Sequence, residues 1–422
     1  MFRKLASFEE AKRIIEQNFS PKPVGVERVP LSEAPGRTLA EDIVATMDVP
    51  PFNRSTVDGY AVKASDTFGA EEDQPITLRL CGQVVVGEYP RVIVEGGTAA
   101  EIFTGAPLPG GADAVVMIEH TNRRDDTIFV HRPVSRGENV MKAGSDIPKG
   151  QTVLHAGQRL SPKHIGVLAA LGLTEVKVYG QPRVAVVSTG EEIVELGTPL
   201  PPGRIYDINA PTLSAAVLEC SGKPINLGIV PDEKDQLKSA LGRALNMADM
   251  VLTSGGVSVG PRDLLPLVLN ELGEPGVLLS GVAIRPGKPL TFAVVNGKPV
   301  FSLPGHPASS LLTFHLFVRP ILYRMAGKGE PVTPTLRAIT VSKLFPARGR
   351  RTFVMVNLTR DESGGLLASP VPLGLSGAIT TLTKADGFIQ IPENQQFIDE
   401  GSEVTVHLFE ENLSLRREGE GK

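Results

Sequence analysis

The chain has 422 residues, which at about 100–200 residues per domain predicts two to four domains. It contains 44 glycines and 35 prolines, yet 41% of its residues are hydrophobic. This composition excludes a disordered chain and indicates a globular protein with many turns and strands. The formal net charge of −4 excludes the basic surface that binding to nucleic acid or to an anionic membrane requires.

Cys81 and Cys220 are the two cysteines, and they form no CxxC pair. So few thiols indicate a reducing compartment and predict neither a disulfide framework nor a structural zinc site. The first residues, MFRK, run into acidic, helix-like sequence without the apolar segment of a signal peptide, and no apolar stretch is long enough to span a membrane. We therefore expect a soluble, cytoplasmic protein.

The first half of the chain contains helical patterns at its two ends and a β-rich pattern between them. Ser7 and Glu10 form a capping box, and the apolar spacing that follows predicts an amphipathic helix to about Asn18. Further helical pieces are expected at 31–45 and 160–171. Between them, glycine-punctuated segments predict short strands at 77–80, 83–86, 114–118 and 127–130.

Residues 182–325 alternate between apolar strands and helices, which is typical of a doubly wound parallel sheet covered on both faces. The predicted strands are 183–188, 224–230, 250–253 and 300–303, and the predicted helices are 211–220, 232–247, 263–272 and 307–322. After residue 331, strands at 335–341, 352–358, 388–391 and 403–408 predict a small β-barrel or sandwich. The predicted fold class is therefore multidomain α/β plus β, with an inserted β-rich domain and a C-terminal β-barrel.

Three predicted strands of the α/β domain end in glycine-containing loops, STGEE (188–192), TSGGVSVG (253–260) and LPGHP (303–307). Ligands of doubly wound sheets bind beyond the carboxyl ends of the strands, where glycine and helix N-termini favour anions. Each loop alone could be an ordinary turn. Three at one edge suggest a long ligand with phosphate groups.

Charged residues accompany these loops. Arg285 and Lys288 stand beside two stiffening prolines, and are either anion clamps or ordinary surface cations. Their segment is not a P-loop, because proline follows the lysine. Magnesium accepts one or two carboxylates together with substrate phosphates. The nearby carboxylates are Glu191, Glu192, Asp207, Asp232 and Asp263, although Asp232 and Asp263 could instead cap helices.

The segment PPFNRSTVDGYA (50–61) combines a stiff approach with a tight turn at Asp58-Gly59, and on its own would be read as a hairpin. No Ser-His-Asp or Cys-His arrangement is apparent. Among the seven histidines, His306 alone falls in a candidate loop, either as a ligand contact or as a helix cap.

In their order along the chain, these motifs resemble the molybdopterin molybdenumtransferase family (MoeA-type, including the E domain of gephyrin). The resemblance covers essentially the whole chain. It is carried by PFNRSTVDGYA (51–61), FTGAPLP (103–109), STGEE (188–192), IYD (205–207), residues 254–260 with Asp263, RPGKP (285–289), LPGHP (303–307), SG (376–377) and ADG (385–387).

The resemblance implies an elongated homodimer with a cleft involving both protomers, and an α/β domain of the molybdopterin-binding type. The activity implied is insertion of molybdate into adenylyl-molybdopterin, with release of AMP in the presence of Mg²⁺ or a similar divalent ion; the product is molybdenum cofactor. The adenylyltransferase of the same pathway is an expected partner. The implied division is a linking domain (1–49 and 143–180), the inserted β-rich domain (50–142), the α/β domain (181–328), the barrel (329–412) and a disordered tail (413–422).

The resemblance also implies site residues by motif. The expected catalytic carboxylates are Asp58, Glu192, Asp232 and Asp263, and the expected metal ligands are Asp146, Glu192, Asp232 and Asp263. The expected substrate-binding residues are Thr104, Thr189, Gly190, Asp207, Gly255, Gly256, Ser258, Gly260, Pro304, Gly305 and Pro307. The residues expected to bind molybdate are Arg285, Lys288, Ser309, Arg350 and Ser376.

Four residues depart from the family pattern: Arg285 replaces Lys, His306 replaces Asn, Glu191 replaces Asp and Asp386 replaces Asn. Arginine keeps the charge of lysine but changes its geometry, and His306 would make one contact pH-sensitive. Two other functions compete with molybdenum insertion. One is adenylylation of molybdopterin, which needs only the α/β domain. The other is a gephyrin-like, non-catalytic scaffold.

Overall fold

The computed structural model describes residues 5–256, 264–371, 379–409 and 416–417. These residues belong to two compact units. The smaller unit spans residues 28–35 and 39–177, and the larger one spans the residues up to 27, residues 36–38 and the chain from 178 onward. Within the described ranges, no helix combines the length and the apolar character that crossing a bilayer requires.

Helix α1 (Phe8–Asn18) confirms the predicted capping box. The Glu10 N–H donates to Ser7 Oγ at 3.1 Å, and the Ser7 N–H donates to Glu10 Oε2 at 3.4 Å. The buried Phe8, Ala11 and Ile15 recur at helical spacing and join the main core of the larger unit.

The helical piece predicted at 31–45 is wrong. A 3₁₀ turn at Leu31–Glu33 is followed by a short strand at Ile43–Val44. Pro35 and Gly36, the latter with a φ of 81°, interrupt the segment, because neither residue favours a helix interior.

A six-stranded sheet with the order β7-β4-β6-β5-β9-β8 organises the smaller unit. Strand β4 is buried on both faces: Tyr60 and Val62 pack into one core cluster, and Ala61 packs into another. The strands predicted at 77–80 and 83–86 form the single strand β5, which continues past an irregularity between Leu80 and Gly82. The elements of this part of the chain are β1 (Val26–Pro30), β2 (Ile43–Val44), β3 (Arg54–Ser55), β4 (Gly59–Val62), β5 (Ile76–Val84), β6 (Thr98–Ile102), β7 (Ala114–Met117), β8 (Thr121–Arg124), β9 (Thr127–Val130), β10 (Val140–Met141), β11 (Thr152–Leu154), α2 (Pro162–Ala170) and β12 (Glu175–Tyr179).

The larger unit contains the predicted α/β domain. Its elements up to residue 325 are β13 (Arg183–Thr189), β14 (Ile193–Val194), β15 (Ile205–Tyr206), α3 (Asn209–Glu219), β16 (Lys223–Val230), α4 (Lys234–Met247), β17 (Met250–Ser254), α5 (Leu265–Leu272), β18 (Pro275–Ser280), β19 (Ile284–Arg285), β20 (Thr291–Val295), β21 (Lys298–Leu303), α6 (Pro307–Thr313) and α7 (Arg319–Met325). A π-helical turn, Phe314–Val318, joins α6 to α7 where one continuous helix was predicted.

The central sheet has the order β16-β13-β17-β21-β20-β18. The four strands from β16 to β21 are parallel, which confirms the prediction, whereas β20 and β18 add an antiparallel edge that was not predicted. Alternate residues of β13 face opposite cores. Val184 and Val186 lie in the cluster that contains residues of α3 and α6, and Ala185 and Val187 lie in the cluster of α4 and α5. Helices therefore cover both faces of the sheet.

The C-terminal strands close into a five-stranded barrel through the pairings β23-β24-β22-β26-β25-β23, which confirms the predicted barrel. The elements are β22 (Thr335–Thr340), β23 (Arg351–Arg360), β24 (Leu366–Pro370), α8 (Thr380–Lys384), β25 (Gly387–Ile391), β26 (Glu403–Leu408) and β27 (Arg416–Arg417). Strand β19 pairs with the start of β23 and ties the barrel to the α/β part of the unit. Strand β27, which falls in the predicted disordered tail, also pairs with β23.

Candidate active site

A cleft of about 1130 Å³ lies at the carboxyl edge of the central sheet. Residues after β13, after β17 and after β21 line it, together with residues at the start of α3. The cleft-lining residues predicted from the sequence are Thr189, Gly190, Glu192, Asp207, Asp232, Gly255, Gly256, Gly305 and Pro307. The three glycine-containing loops therefore meet at one edge, as the sequence indicated.

Gly255 shows how closely two of these loops approach each other. A Cβ atom at position 255 would stand 1.9 Å from the carbonyl oxygen of Thr189, and the φ of Gly255 is 90°. Both facts exclude a side chain there, since L-residues rarely adopt this conformation. The third loop is also near, because a Cβ at Gly305 would lie 3.8 Å from the Cα of Gly255.

Three carboxylates line the cleft, those of Glu192, Asp207 and Asp232. The Thr189 hydroxyl donates a hydrogen bond to Oδ1 of Asp232. Helix α4 begins after Glu233 and has no side-chain cap, so Asp232 does not serve as the helix cap that was the alternative. The Glu192 carboxylate folds over Gly190, where an added Cβ would be 2.9 Å from its Oε2.

Asn209 is a cleft residue that the sequence reasoning missed. Its Nδ2 donates to Ser254 Oγ at 2.6 Å and to the Gly305 carbonyl at 2.7 Å, so one buried amide joins the second and third loops. Its Oδ1 is buried and has no hydrogen-bond partner in the described chain. Asp207, two residues earlier, accepts the Ala210 N–H at 3.1 Å and so caps the start of α3. In the sequence IYDIN, Asp207 precedes α3 and Asn209 is its first residue, so the local pattern indicates the start of a helix but not the contacts of Asn209.

An apolar wall stands on another side of the cleft, and it was also missed. It is formed by Ile193, Leu196, Leu200 and Ile205, on and between the paired strands β14 and β15. Leu196, Leu200 and Ile205 are 60%, 49% and 52% exposed. Exposed apolar side chains grouped in a cleft mark a binding surface for an apolar or aromatic group.

The predicted molybdate-binding residues come from segments that pack together. Strand β19 places Arg285 beside Thr352, two residues after Arg350. A Cβ at Gly287 would be 2.6 Å from Thr313 Cγ2, one helical turn after Ser309 in α6. Within the described residues, Arg285, Lys288 and Arg350 form no ion pair, although other arginines of the barrel do.

Four predicted site residues lie outside the described residues: Ser258, Gly260, Asp263 and Ser376. Pro304 is buried directly before Gly305. Across the described parts of the chain, no group of three or more His, Cys, Asp or Glu side chains is arranged to hold a metal ion.

Asp58, Thr104 and Asp146 lie in the smaller unit. Asp58 Oδ1 accepts the Thr104 N–H at 2.7 Å and the Thr104 hydroxyl at 2.8 Å, which joins the DGYA and TGAPLP motifs. These two bonds lower the pKa of Asp58, the backbone bond contributing most, because both stabilise the charged carboxylate. The exposed Asp58 is therefore an anion at neutral pH.

The backbone of the smaller unit brings a third motif to the same place. The Gly144 N–H donates to the Pro50 carbonyl at 3.0 Å, and the Asp146 N–H donates to the Val49 carbonyl at 3.1 Å. The Gly105 N–H donates to the Ser55 carbonyl at 2.8 Å. The segments GSDI (144–147), PPFNRS (50–55) and TGAPLP (104–109) are thus neighbours, and the Asp146 side chain is exposed.

Comparison with known family models and proteins identifies relatives of the chain along most of its length. Three family models match: the MoeA N-terminal region (domain I and II) at residues 6–172, a probable molybdopterin binding domain at 185–324, and the MoeA C-terminal region (domain IV) at 337–409. The chain is 35% identical to molybdopterin molybdenumtransferase 2 of Mycobacterium tuberculosis over 407 residues, which is 95% of this chain and 99% of that protein. The chain belongs to the MoeA family.

Other MoeA-family relatives agree over similar lengths. Molybdopterin molybdenumtransferase of Haemophilus influenzae is 36% identical over 391 residues, covering 92% of this chain and 95% of that protein. A solved molybdopterin biosynthesis MoeA protein of Pyrococcus horikoshii superposes with a TM-score of 0.86 at 44% identity, covering 96% of this chain and all of that one. The resemblance predicted from the motifs is confirmed.

Proposed function

We propose that this chain is a molybdopterin molybdenumtransferase, which inserts molybdate into adenylyl-molybdopterin with Mg²⁺-dependent release of AMP. The observation that carries the proposal is the cleft of the larger unit, where three glycine-containing loops meet beside the carboxylates of Glu192, Asp207 and Asp232. The full-length relatives that carry this enzyme name support it.

The cleft suits a substrate that has both aromatic rings and phosphate groups. Backbone N–H groups of the three loops would bind the phosphates, since glycine at positions 190, 255 and 305 leaves the backbone open to close approach. Asn209 holds the second and third loops in place. The apolar wall would pack against a flat ring of the substrate.

Glu192 and Asp232 fit a Mg²⁺ site, because two carboxylates in one cleft, completed by substrate phosphate and water, form the donor set that this ion prefers. Bound there, Mg²⁺ would supply positive charge to the phosphate linkage that is cleaved. The Thr189 hydroxyl orients the Asp232 carboxylate. Asp58, whose pKa is lowered by the bonds from Thr104, is a further catalytic carboxylate in this proposal, and Asp146 and Asp263 are further metal ligands.

Molybdate is a compact oxyanion and requires fixed cations and hydroxyl donors. Arg285, Lys288 and Arg350, which form no ion pair with any residue that the structure describes, are proposed to bind it as the second substrate, together with Ser309 and Ser376. Arginine and lysine stabilise an oxyanion best when no carboxylate of the protein competes for them.

We further propose a cytoplasmic homodimer that works beside the adenylyltransferase of its pathway. The four-domain division stated above is part of the same proposal. The linking domain comprises residues 1–49 and 143–180, and the inserted domain at 50–142 lies between these two parts in the sequence. The other two domains are 181–328 and 329–412.

Incubation of the full-length protein with adenylyl-molybdopterin, molybdate and Mg²⁺ tests the proposal. We expect AMP release together with cofactor that activates a molybdenum-dependent apoenzyme, and loss of both with Asp232→Asn. Absence of AMP release from authentic substrate would overturn the proposal. Consumption of ATP that depends on molybdopterin would instead identify an adenylyltransferase.

A further inference from the structure

Arg351 joins three separate elements of the larger unit. It is the first residue of β23, directly after Arg350, and its side chain is only 13% exposed. Its guanidinium forms ion pairs with Glu9 of α1 and with Glu393, the latter at 3.1 Å between Nε and Oε2. It also lies 4.9 Å from the centroid of the Phe8 ring. Lysine would not replace it, because a single ammonium lacks the planar fork that reaches two carboxylates in fixed directions.

The backbone around Arg351 carries the loop with the candidate cations. The Arg351 N–H donates to the Ala283 carbonyl at 3.0 Å, and β19 continues in parallel register with β23. The Ala283 N–H donates to the Ala6 carbonyl at 2.7 Å. The Val282 N–H donates to the Lys288 carbonyl at 2.9 Å and closes the base of the loop. The segment before α1 and the start of β23 therefore flank the loop that presents Arg285 and Lys288.

Cations grouped in one place repel each other, so they need a rigid support that fixes their spacing. Arg350 and Arg285 belong to the segments of the paired strands β23 and β19. The Arg351 side chain connects the start of β23 to Glu9 of α1, and the segment just before α1 is bonded to Ala283, the residue before β19. Arg351 itself is neutralised by Glu9 and Glu393, so it does not compete for an anion.

We infer that Arg351 is a positioning residue for oxyanion binding: its ion pairs with Glu9 and Glu393 fix Arg350 relative to Arg285 and Lys288. This inference rests on the proposed function, because it takes molybdate as the oxyanion.

The test uses full-length Arg351→Met and Arg351→Lys, with Arg337→Met as the matched control. Arg337 forms an exposed ion pair with Glu403 on the same barrel. Molybdate binding is measured by calorimetry without the pterin substrate, and KM for each substrate is measured by AMP release. We expect Arg351→Met to raise the molybdate Kd and KM by about tenfold or more. Arg351→Lys should give a smaller rise, and KM for adenylyl-molybdopterin should stay within about twofold. The control should leave all three constants within about twofold, as expected for an exposed ion pair.

Glu393→Gln removes one of the two ion pairs and replaces Arg351→Met in the test if that variant does not fold. The molybdate Kd of Glu393→Gln should rise as well. Unchanged molybdate constants in the folded variants would overturn the inference and leave the proposed function standing. An equal rise of both KM values would overturn it too, because that result indicates general distortion. If the wild-type protein binds no molybdate, both the inference and the proposed oxyanion site are wrong.

Discussion

Replacing Gly255 by alanine should damage the cleft, and the structure allows the effect to be divided into two parts. The first part is backbone strain, because a φ of 90° costs a non-glycine residue about 1–3 kcal/mol. The second part is a clash, because the added Cβ would stand 1.9 Å from the Thr189 carbonyl oxygen, and neither atom lies at the end of a flexible side chain. To relieve this clash, the loop after β17 must move away from β13.

Gly297→Ala is the matched control. Gly297 has a φ of 78°, and a Cβ there would meet nothing within 4 Å, so this variant has the strain without the clash. We expect both variants to lower Tm, the control by a few degrees, at about 2–4 °C per kcal/mol. Gly255→Ala should lower it further and should reduce AMP release by about a hundredfold, because displacement of about 1 Å in a binding loop has effects of that size. If Gly255→Ala has the same Tm as Gly297→Ala and keeps full activity, the close approach of Gly255 to Thr189 is not needed to form the site.

Three further predictions concern side chains around the two candidate site regions. Thr104→Val should raise the pKa of Asp58 toward its ordinary value, because one stabilising hydrogen bond is lost. The acid limb of the pH–rate profile should therefore shift to higher pH. If the acid limb does not shift, Asp58 is not the group whose titration controls the rate. Thr189→Val should reduce kcat about tenfold or more and should lower Tm by about 3–12 °C, because a hydrogen bond to a charged group is worth about 1.5–3 kcal/mol; unchanged kcat would remove Thr189 from the orientation of Asp232. Leu200→Ser should raise KM for the pterin substrate and leave the molybdate KM unchanged; equal effects on both would argue against ring binding at the apolar wall.

Much of the fold could be predicted, because local patterns carry it. The capping box of α1 and the four parallel strands follow from spacing and apolar runs that need no tertiary information. The antiparallel strands β20 and β18 were missed, although Asn296-Gly297, both with positive φ, is a strong hairpin signal. The π-helical turn after α6 could not be predicted, since nothing in the apolar spacing of 307–325 distinguishes it from a regular helix.

The parts of the candidate site that depend on residues close together in sequence could be predicted. The three glycine-containing loops are an example, because each one follows a parallel strand and parallel strands end at the same edge of a sheet. Asn209 and Arg351 were missed because their roles depend on partners about 100 or more residues away in sequence, namely Gly305 and Glu9. No local pattern encodes such pairs. The alternative for Asp232 as a helix cap was wrong for a similar reason, because the competing partner, Thr189, lies on another strand.

The amide of Asn209 has a consequence for the thermodynamics of binding. Since it ties the loop after β17 to the loop after β21 without any ligand, the conformational entropy of ordering these loops is lost when the chain folds. A ligand that enters the cleft then meets a preorganised surface and retains more of its contact energy as affinity. Protein stability and ligand affinity are thereby linked through one side chain, so that a change at position 209 would alter both in the same direction.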